Sequence, residues 1–297
     1  MNCSVVLVTY NRIALLKECL ACILNQSLIP FEIIVVDNCS TDGTKGYLDE
    51  LDDGRFKVFH MERNLGGAGG FAFGLSKISA RSDYTLLIDD DAMISGDYLE
   101  RIDMARSPGI LAYSGTVRTG GKTDTSHRRR ISNHVLMTKK DVPEEEYAHN
   151  FFDYDLSTFC GLLVSSGLIR KIGLPKAEYF IWYDDTEYSL RIGQYTKIRN
   201  VNSAVLDHKT KLQAVQGLSW KSYYGYRNQW DVGLTYSAYP IIYNLFREAF
   251  HRFRQIEFSL KYLKTKDPYD KWASELHKDV LGFPKSRELG VCKKYLP

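Results

Sequence analysis

The 297-residue sequence has few cysteines and prolines and no strong charge of either sign. Its six cysteines are scattered, and the single Cys-X-X-Cys pair, Cys19 and Cys22, has no second pair and no neighbouring histidine. This pattern argues against a zinc site and is typical of a reducing cytoplasm. The net charge of +3 gives no strong attraction to nucleic acid, so we expect no nucleic-acid partner.

Long apolar runs are also missing. No stretch reaches the roughly 18–20 apolar residues that a membrane-spanning helix needs, and the first residues do not resemble a secretory signal. With 44% hydrophobic and 25% charged residues, the composition is that of a globular protein. We therefore expect a cytoplasmic protein, or one that is at most peripheral on the inner face of the cell membrane.

Short apolar runs alternate with helical patterns through the first two-thirds of the chain. The runs predict buried strands at Cys3–Val8, Glu32–Val36, Phe56–His60, Tyr84–Ile88 and Thr158–Ser165. Continuous apolar strands separated by helices are typical of an α/β fold, in which helices flank a mostly parallel, Rossmann-like sheet. Ligands of such sheets bind beyond the carboxyl ends of the strands. Four polar motifs lie at or near such ends, namely Thr9–Arg12, Asp37-Asn38, Arg63-Asn64 and Asp89–Asp91.

The composition changes after about residue 214. From Tyr239 to Pro297 there are 12 Lys and Arg against 7 Asp and Glu. We therefore predict an α/β domain over residues 1–213 and a helical, basic and aromatic extension over residues 214–297. Apolar residues at helical spacing form one face, which packs on the first domain or lies on an anionic membrane: Ile242, Leu245, Phe246, Ala249, Phe253, Ile256 and Leu260. The charged runs at 127–130 and 144–146 are expected to be solvated loops.

The aspartate triplet Asp89-Asp90-Asp91 follows a predicted buried strand directly. Three carboxylates this close repel one another unless a positive charge joins them, and a hard divalent cation is one solution. In an extended backbone Asp89 and Asp91 point the same way as metal ligands, and Asp90 points elsewhere, toward a sugar hydroxyl. An acidic solvated turn is the alternative. His208 follows a short strand and is a candidate further ligand or a structural histidine.

Two more motifs have both a functional and a structural interpretation. In Trp182-Tyr183-Asp184-Asp185, paired carboxylates beside aromatic rings are typical of a general base in a sugar pocket, or of a helix N-terminus. The glycine-rich run after Asn64 predicts a loop followed by a helix over Phe71–Ile78, with backbone amides near a phosphate or sugar, or only a flexible turn. It matches neither a phosphate-binding GxxxxGK[ST] loop nor a dinucleotide-binding GxGxxG motif, which argues against those enzymes.

Together, Val8–Arg12, Ile34–Thr44 and the aspartate triplet resemble inverting nucleotide-sugar glycosyltransferases of the GT-A fold, over roughly residues 3–230. Asn64–Phe71 and Trp182–Glu187 resemble bacterial galactofuranosyltransferases in particular. The resemblance implies a UDP-sugar donor, with UDP-galactofuranose as the first choice and dTDP-rhamnose, used by related rhamnosyltransferases, as the alternative. It also implies a polysaccharide, O-antigen or lipid-linked glycan acceptor.

The same resemblance implies roles for individual residues. Thr9, Tyr10, Asn11 and Arg12 would hold the nucleotide diphosphate, Asp37 the uracil, and Asn64 with Gly67, Gly69 and Gly70 the donor pocket. Asp89, Asp91 and His208 would bind Mn²⁺ or Mg²⁺, and Asp90 would contact the donor sugar. Asp185 would be the catalytic base, with Asp184 as a rival, beside Trp182 and Tyr183 at the acceptor. A sugar nucleotidyltransferase is disfavoured because no glycine-rich loop follows the first strand, and a non-catalytic carbohydrate-binding protein would not need both acidic clusters.

Overall fold

The structure is a computed structural model that describes residues 1–209 and 217–296. These residues form two compact units. The first comprises residues 1–130, 140–177 and those from Asp185 to Lys209; the second comprises residues 131–139, 178–184 and 217–296. The boundary predicted at residues 213 and 214 lies outside the described residues. Two short segments that precede it, 131–139 and 178–184, belong to the second unit.

The strands, in chain order, are β1 Cys3–Thr9, β2 Glu32–Asp37, β3 Phe56–His60, β4 Tyr84–Asp89, β5 Ala92–Ile94, β6 Ala112–Thr119, β7 Lys122–Thr123, β8 Arg128–Asn133, β9 Thr138–Asp141, β10 Phe151–Tyr154, β11 Leu156–Ser157, β12 Leu162–Ser165 and β13 Ile198–His208. The helices are α1 Ile13–Leu24, α2 Thr44–Asp49, α3 Gly66–Leu75, α4 Tyr98–Met104, α5 Ser166–Ile172, α6 Asp184–Ile192, α7 Trp220–Tyr236, α8 Pro240–Thr265 and α9 Pro268–Ser286.

The central sheet of the first unit runs in the order β10-β13-β6-β12-β4-β1-β2-β3, with β5 against β13 and β7 against β6. Its neighbours β4, β1, β2 and β3 are parallel, whereas β12 is antiparallel to both β4 and β6. Strands β1, β2 and β4 are buried because α1 covers one side of the sheet and α3 the other. The predicted α/β architecture is confirmed, and Cys19 lies buried on the apolar side of α1.

The glycine-rich run is helical and not a loop, which corrects the expected start of this helix at Phe71. Helix α3 begins at Gly66 and packs across β1. A Cβ atom on Gly70 would lie 2.6 Å from a Val8 methyl carbon, and one on Gly74 would lie 2.4 Å from a Val6 methyl carbon. Glycine at these two positions therefore lets the helix approach the sheet more closely than any other residue would.

The basic run at 127–130 is not a solvated loop. The Arg128 side chain is fully buried, and its guanidinium donates hydrogen bonds to the Asn200 side chain and to the carbonyls of Gly115 and Cys160. The local sequence resembles a surface charge cluster, but β8 pairs with β11 and carries this residue inward. Arg130, half-buried, instead forms an ion pair with Glu146.

The second unit contains α7, α8 and α9, so the predicted C-terminal helices are confirmed. Its core contains Phe180, Tyr224, Trp230, Tyr243, Leu276, Val280, Phe283 and Tyr295. In α8 the buried residues are Tyr243, Arg247, His251 and Phe258. The apolar face predicted from Ile242 to Leu260 is exposed and is not the face that holds α8 in this unit. Among the described helices, none has the length and apolar character needed to cross a bilayer.

Candidate active site

The loop after β1 and the aspartate triplet after β4 meet because their strands are neighbours, with Val8 opposite Asp89. Thr9 donates a hydrogen bond to Asp90 at 2.7 Å. The Arg12 guanidinium donates to Asp90 at 3.2 Å and to Asp91 at 2.7 Å. Four residues that the sequence predicted for one site are thus joined by hydrogen bonds at the carboxyl edge of the sheet.

The triplet does not continue as an extended strand. Strand β4 ends at Asp89, residues 90 and 91 form a turn, and β5 begins at Ala92. The backbone is therefore not extended through the triplet, and the alternation that would point Asp89 and Asp91 the same way is absent. Because β5 pairs with the end of β13, Asp91 instead faces His208, with its Oδ1 atom 3.3 Å from the imidazole Nε2.

The carboxylates of this turn influence one another's ionisation. Burial, with the charges of Asp91 and Asp90, raises the pKa of Asp89 to about 7. Burial also raises the pKa of Asp90, to about 6. Burial would raise the pKa of Asp91, but His208 and Arg12 outweigh it, so the pKa of Asp91 is lowered. Burial would lower the pKa of His208, but the nearby carboxylates outweigh it, so the pKa of His208 is raised. Three acids thus face one guanidinium and one imidazole, an arrangement that favours a further cation.

The donor atoms near the triplet are of the types that a divalent cation takes. Within residues 1–209 and 217–296, no group of three or more His, Cys, Asp or Glu side chains is arranged as a complete metal-binding set. Asp91 and His208 nevertheless lie side by side, and the buried Nδ1 atom of His208 has no hydrogen-bond partner in this part of the chain. Carboxylate and imidazole suit Mn²⁺ in chemistry, but Asp89, the third predicted ligand, does not complete the set here.

The remaining nucleotide-binding candidates lie at the ends of β1 and β2. Tyr10 is exposed, and Asn11 accepts a hydrogen bond from the Thr41 amide at 2.7 Å. Asp37 is buried and accepts a hydrogen bond from the Ser40 amide at 2.9 Å. Its other oxygen lies 2.8 Å from a ring nitrogen of His60, a partner that the sequence did not reveal. These contacts fix the loop that follows β2.

Asn64 and the glycines occupy the start of α3. The Asn64 side chain accepts a hydrogen bond from the Gly66 amide at 2.7 Å. Gly69 lies close to Leu65 and Gly70 close to Val8, so both have a packing role, whereas a Cβ atom on Gly67 would meet no atom within 4 Å. Of the three predicted donor-pocket glycines, only Gly67 leaves open space beside it.

The two candidate bases lie at the start of α6 and differ in exposure. Asp184 is buried, whereas Asp185 is partly exposed. The Asp185 carboxylate accepts hydrogen bonds from the amide and hydroxyl of Thr186. Among the described residues, no hydrogen bond or ion pair links Asp185 to the aspartate triplet. The greater accessibility favours Asp185 over Asp184 as the group that meets a substrate.

The segment before these acids has a strained backbone. Phe180, Trp182 and Tyr183 all have positive φ, between 65° and 69°, a conformation that costs free energy for such bulky residues. Asn228, fully buried in α7, holds this segment: its side-chain amide donates to the carbonyls of Tyr179, Ile181 and Trp182 at 2.8–3.1 Å. The sequence does not reveal this role, because nothing in the spacing links Asn228 to residues almost fifty positions earlier.

An aromatic cavity of about 210 Å³ opens within the second unit. It is lined by Trp182, Tyr183, Ser222, Gly225, Tyr226 and Gln229, and so includes both residues predicted to bind the acceptor. Gly225 permits the close contact of the Trp182 ring with α7, since a Cβ atom there would lie 2.6 Å from the indole. The exposed face of Trp182 is suited to stacking on a sugar, and polar groups lie beside it.

Replacing Asn228 with alanine is expected to reduce turnover by about a hundredfold. The substitution removes the amide group that donates to the carbonyls of Tyr179, Ile181 and Trp182. The strained segment then relaxes and the following acids shift, and a misplacement of about 1 Å costs about a hundredfold in rate. Steady-state kinetics would show the loss mainly in kcat, with circular dichroism to establish that the fold is retained. Thr235→Ala, on the same helix but exposed, is the matched control. Unchanged kcat in a folded Asn228→Ala protein would contradict the positioning role.

Comparison with known proteins identifies the family. Residues 4–163 match the model of the family "Glycosyl transferase family 2". The glycosyltransferase YwdF of Bacillus subtilis is 35% identical over 210 residues, which cover 69% of this chain and 72% of YwdF. A Campylobacter jejuni protein, the GalNAc(5)-diNAcBac-PP-undecaprenol beta-1,3-glucosyltransferase, is 38% identical over 154 residues, half of each chain. The chain spans only 42% of another relative, EpsH of Bacillus subtilis.

The fold is also similar to a solved structure. The crystal structure of GalNAc-T7 with UDP, GalNAc and Mn²⁺ superposes with a TM-score of 0.66 at 17% identity, covering 95% of this chain and 55% of that one. This similarity establishes the GT-A-like fold that the sequence predicted. The family model matches more than half of this chain, and YwdF aligns over more than two-thirds of both chains. The chain therefore belongs to glycosyltransferase family 2.

Proposed function

We propose that the protein is a metal-dependent, inverting hexosyltransferase that moves a sugar from a UDP-sugar to a hydroxyl group of a glycan or lipid-linked glycan. The observation that carries this proposal is the convergence of Thr9, Arg12, Asp90, Asp91 and His208 at the carboxyl edge of the sheet. Cationic and acidic groups placed together there are suited to a diphosphate and its counter-ion. The family relationship supports the same reaction.

The donor would lie along the loops after β1, β2 and β4. Arg12 and the loop that carries Thr9, Tyr10 and Asn11 would hold the diphosphate, and Asp37 would receive the uracil. Asp91 and His208 would hold Mn²⁺ or Mg²⁺, and a bound cation would offset negative charge on the departing diphosphate. The UDP and Mn²⁺ in the GalNAc-T7 crystal structure support this assignment by analogy. Asp90 would reach a donor sugar hydroxyl, with Asn64 and the glycines Gly67, Gly69 and Gly70 nearby.

Asp185 would act as the catalytic base. It would accept the proton of the acceptor hydroxyl as that oxygen bonds to the anomeric carbon and the bond to the diphosphate breaks. Attack on the face opposite the leaving group inverts the anomeric centre in a single displacement, so no covalent sugar–enzyme intermediate forms. Trp182 and Tyr183, in the wall of the aromatic cavity, would stack on the acceptor.

The donor sugar is proposed to be galactofuranose, in the synthesis of a cell-surface polysaccharide such as O-antigen. A donor screen tests both the reaction and the sugar: purified protein, Mn²⁺ and each nucleotide sugar are incubated, and released nucleotide is measured by mass spectrometry. UDP release from UDP-galactofuranose is the expected result, whereas dTDP release from dTDP-rhamnose would instead identify a rhamnosyltransferase. Binding of donors without any turnover would point to a carbohydrate-binding protein.

The acceptor is proposed to be lipid-linked, which places the enzyme on the inner face of the cell membrane. The Campylobacter jejuni relative is named for an undecaprenol-linked glycan, and this supports such an acceptor for the present chain. The excess of Lys and Arg from Tyr239 onward is compatible with a peripheral contact at an anionic membrane surface.

A further inference from the structure

Helix α8 has an apolar face that the folded chain leaves exposed. We call it the exposed stripe, and it consists of Ile242, Phe246, Ala249, Phe253, Ile256, Leu260 and Leu263. All of these side chains are exposed, and the exposed fractions of the six larger ones lie between 47% and 67%. Ile241 and Leu245 widen the stripe near the start of the helix. Apolar surface this continuous, about six turns long, marks an interaction site.

The stripe is not the side by which α8 is held in its own unit. That side carries the buried residues, where His251 lies 2.8 Å from His277 of α9 and Tyr243 donates a hydrogen bond to the Gln229 carbonyl of α7. Helix α8 therefore has two distinct faces. One includes the buried polar residues Arg247 and His251 and packs on α7 and α9, and the other is the apolar stripe. Within residues 1–209 and 217–296, the second face remains open to solvent along its length.

The charges beside the stripe are mostly positive. Between Pro240 and Thr265 the helix has five Lys or Arg residues and two Glu residues, and Lys266 follows at once. Arg252, Lys261 and Lys264 are exposed next to the stripe. A long helix with an apolar face and cations along its borders is the pattern of helices that lie in the plane of an anionic bilayer surface.

We propose that the exposed stripe docks on an anionic lipid membrane, with its apolar side chains at the boundary between headgroups and acyl chains and its Lys and Arg residues on the headgroups. This inference rests on the proposed function, because a lipid-linked acceptor requires the enzyme to work at a membrane. The stripe also repeats every seven residues, a spacing that helix pairs use. A second copy of this chain, however, would bring another net-positive helix to the same face, whereas anionic lipid brings the opposite charge.

Vesicle flotation of the full chain tests the proposal. We expect the protein to float with vesicles of phosphatidylcholine mixed with phosphatidylglycerol. Much less protein should float with vesicles of phosphatidylcholine alone. Phe253→Ser combined with Ile256→Ser should weaken binding at least tenfold, since both side chains are exposed and the fold does not depend on them. Met104→Ser, which changes an exposed apolar side chain of α4, is the matched control. Circular dichroism shows whether each variant is folded.

Three results would overturn the proposal: no flotation of the wild-type chain, flotation that the double variant leaves unchanged, or a dimer by light scattering that the double variant dissociates. The last result would assign the stripe to a second copy of the chain. Release of UDP from the donor, measured without vesicles, separates this inference from the proposed function. Turnover without flotation would contradict only the membrane docking. Flotation without turnover on any donor would contradict the proposed reaction.

Discussion

Replacing Asp185 with asparagine is expected to lower turnover by about a hundred- to ten-thousand-fold, the usual contribution of a general base. Asparagine has the same shape, so it keeps the packing at the start of α6 but does not accept the proton of the acceptor hydroxyl. Binding of the donor should be largely unchanged, because the donor is assigned to the loops after β1, β2 and β4. Kinetics of UDP release, together with calorimetry of UDP-sugar binding, check both expectations.

The matched control for this variant is Asp184→Asn at the neighbouring position. Asp184 is buried and Asp185 is partly exposed, so we expect the Asp184 variant to retain much more activity. If the Asp184 variant lost more activity than the Asp185 variant, Asp184 would become the base. If calorimetry showed that Asp185→Asn loses donor binding, Asp185 would have a binding role instead of a catalytic one.

Replacing Asp91 with alanine is expected to remove metal-dependent nucleotide binding. Asp91 is the carboxylate that Arg12 and His208 both contact, at 2.7 and 3.3 Å, so its loss leaves each of them without this partner. Removing residues that only support metal ligands costs about ten- to a hundredfold in metal affinity, and a ligand should cost at least the upper value. Calorimetric titration of UDP in the presence and absence of Mn²⁺ measures the effect without requiring turnover.

Asp97→Ala is the control for this experiment, since Asp97 is a surface carboxylate of the same region that pairs with Arg101 at the start of α4. It should leave the stimulation of UDP binding by Mn²⁺ unchanged. Equal metal titrations for Asp91→Ala and the wild-type chain would remove Asp91 from the metal site. Such a result would leave Arg12 as the residue that neutralises the diphosphate.

The residues at the carboxyl edge of the first unit's sheet show how much of the candidate site the apolar pattern of the sequence predicts. Apolar runs predicted β1, β2 and β4, and parallel strands bring their carboxyl ends to one edge whatever the details of packing. Thr9, Arg12 and the aspartate triplet could therefore be placed together from the sequence. The turn at residues 90 and 91 could not, because it depends on the pairing of β5 with β13, whose residues lie more than a hundred positions apart.

The sequence does not show the role of a residue whose partners are distant in the chain. Arg128 lies in a run of basic residues that is typical of a surface, yet its hydrogen bonds to Gly115, Cys160 and Asn200 hold it in the core. The glycines after Asn64 resemble a loop, but the close approach of α3 to β1 explains Gly70 and Gly74. In both cases a buried neighbour decides the role.

The sequence by itself determined the α/β architecture, the C-terminal helices and the membership of a glycosyltransferase family. These features depend on local periodicity and on short motifs at strand ends, which involve only residues close together in the chain. Only the tertiary structure decided that Asp91 faces His208, that Asn228 holds the strained segment before Asp185, and that the apolar face of α8 stays exposed. Each of these depends on which surfaces remain once the strands and helices have packed, and burial of apolar side chains selects that packing across the whole chain.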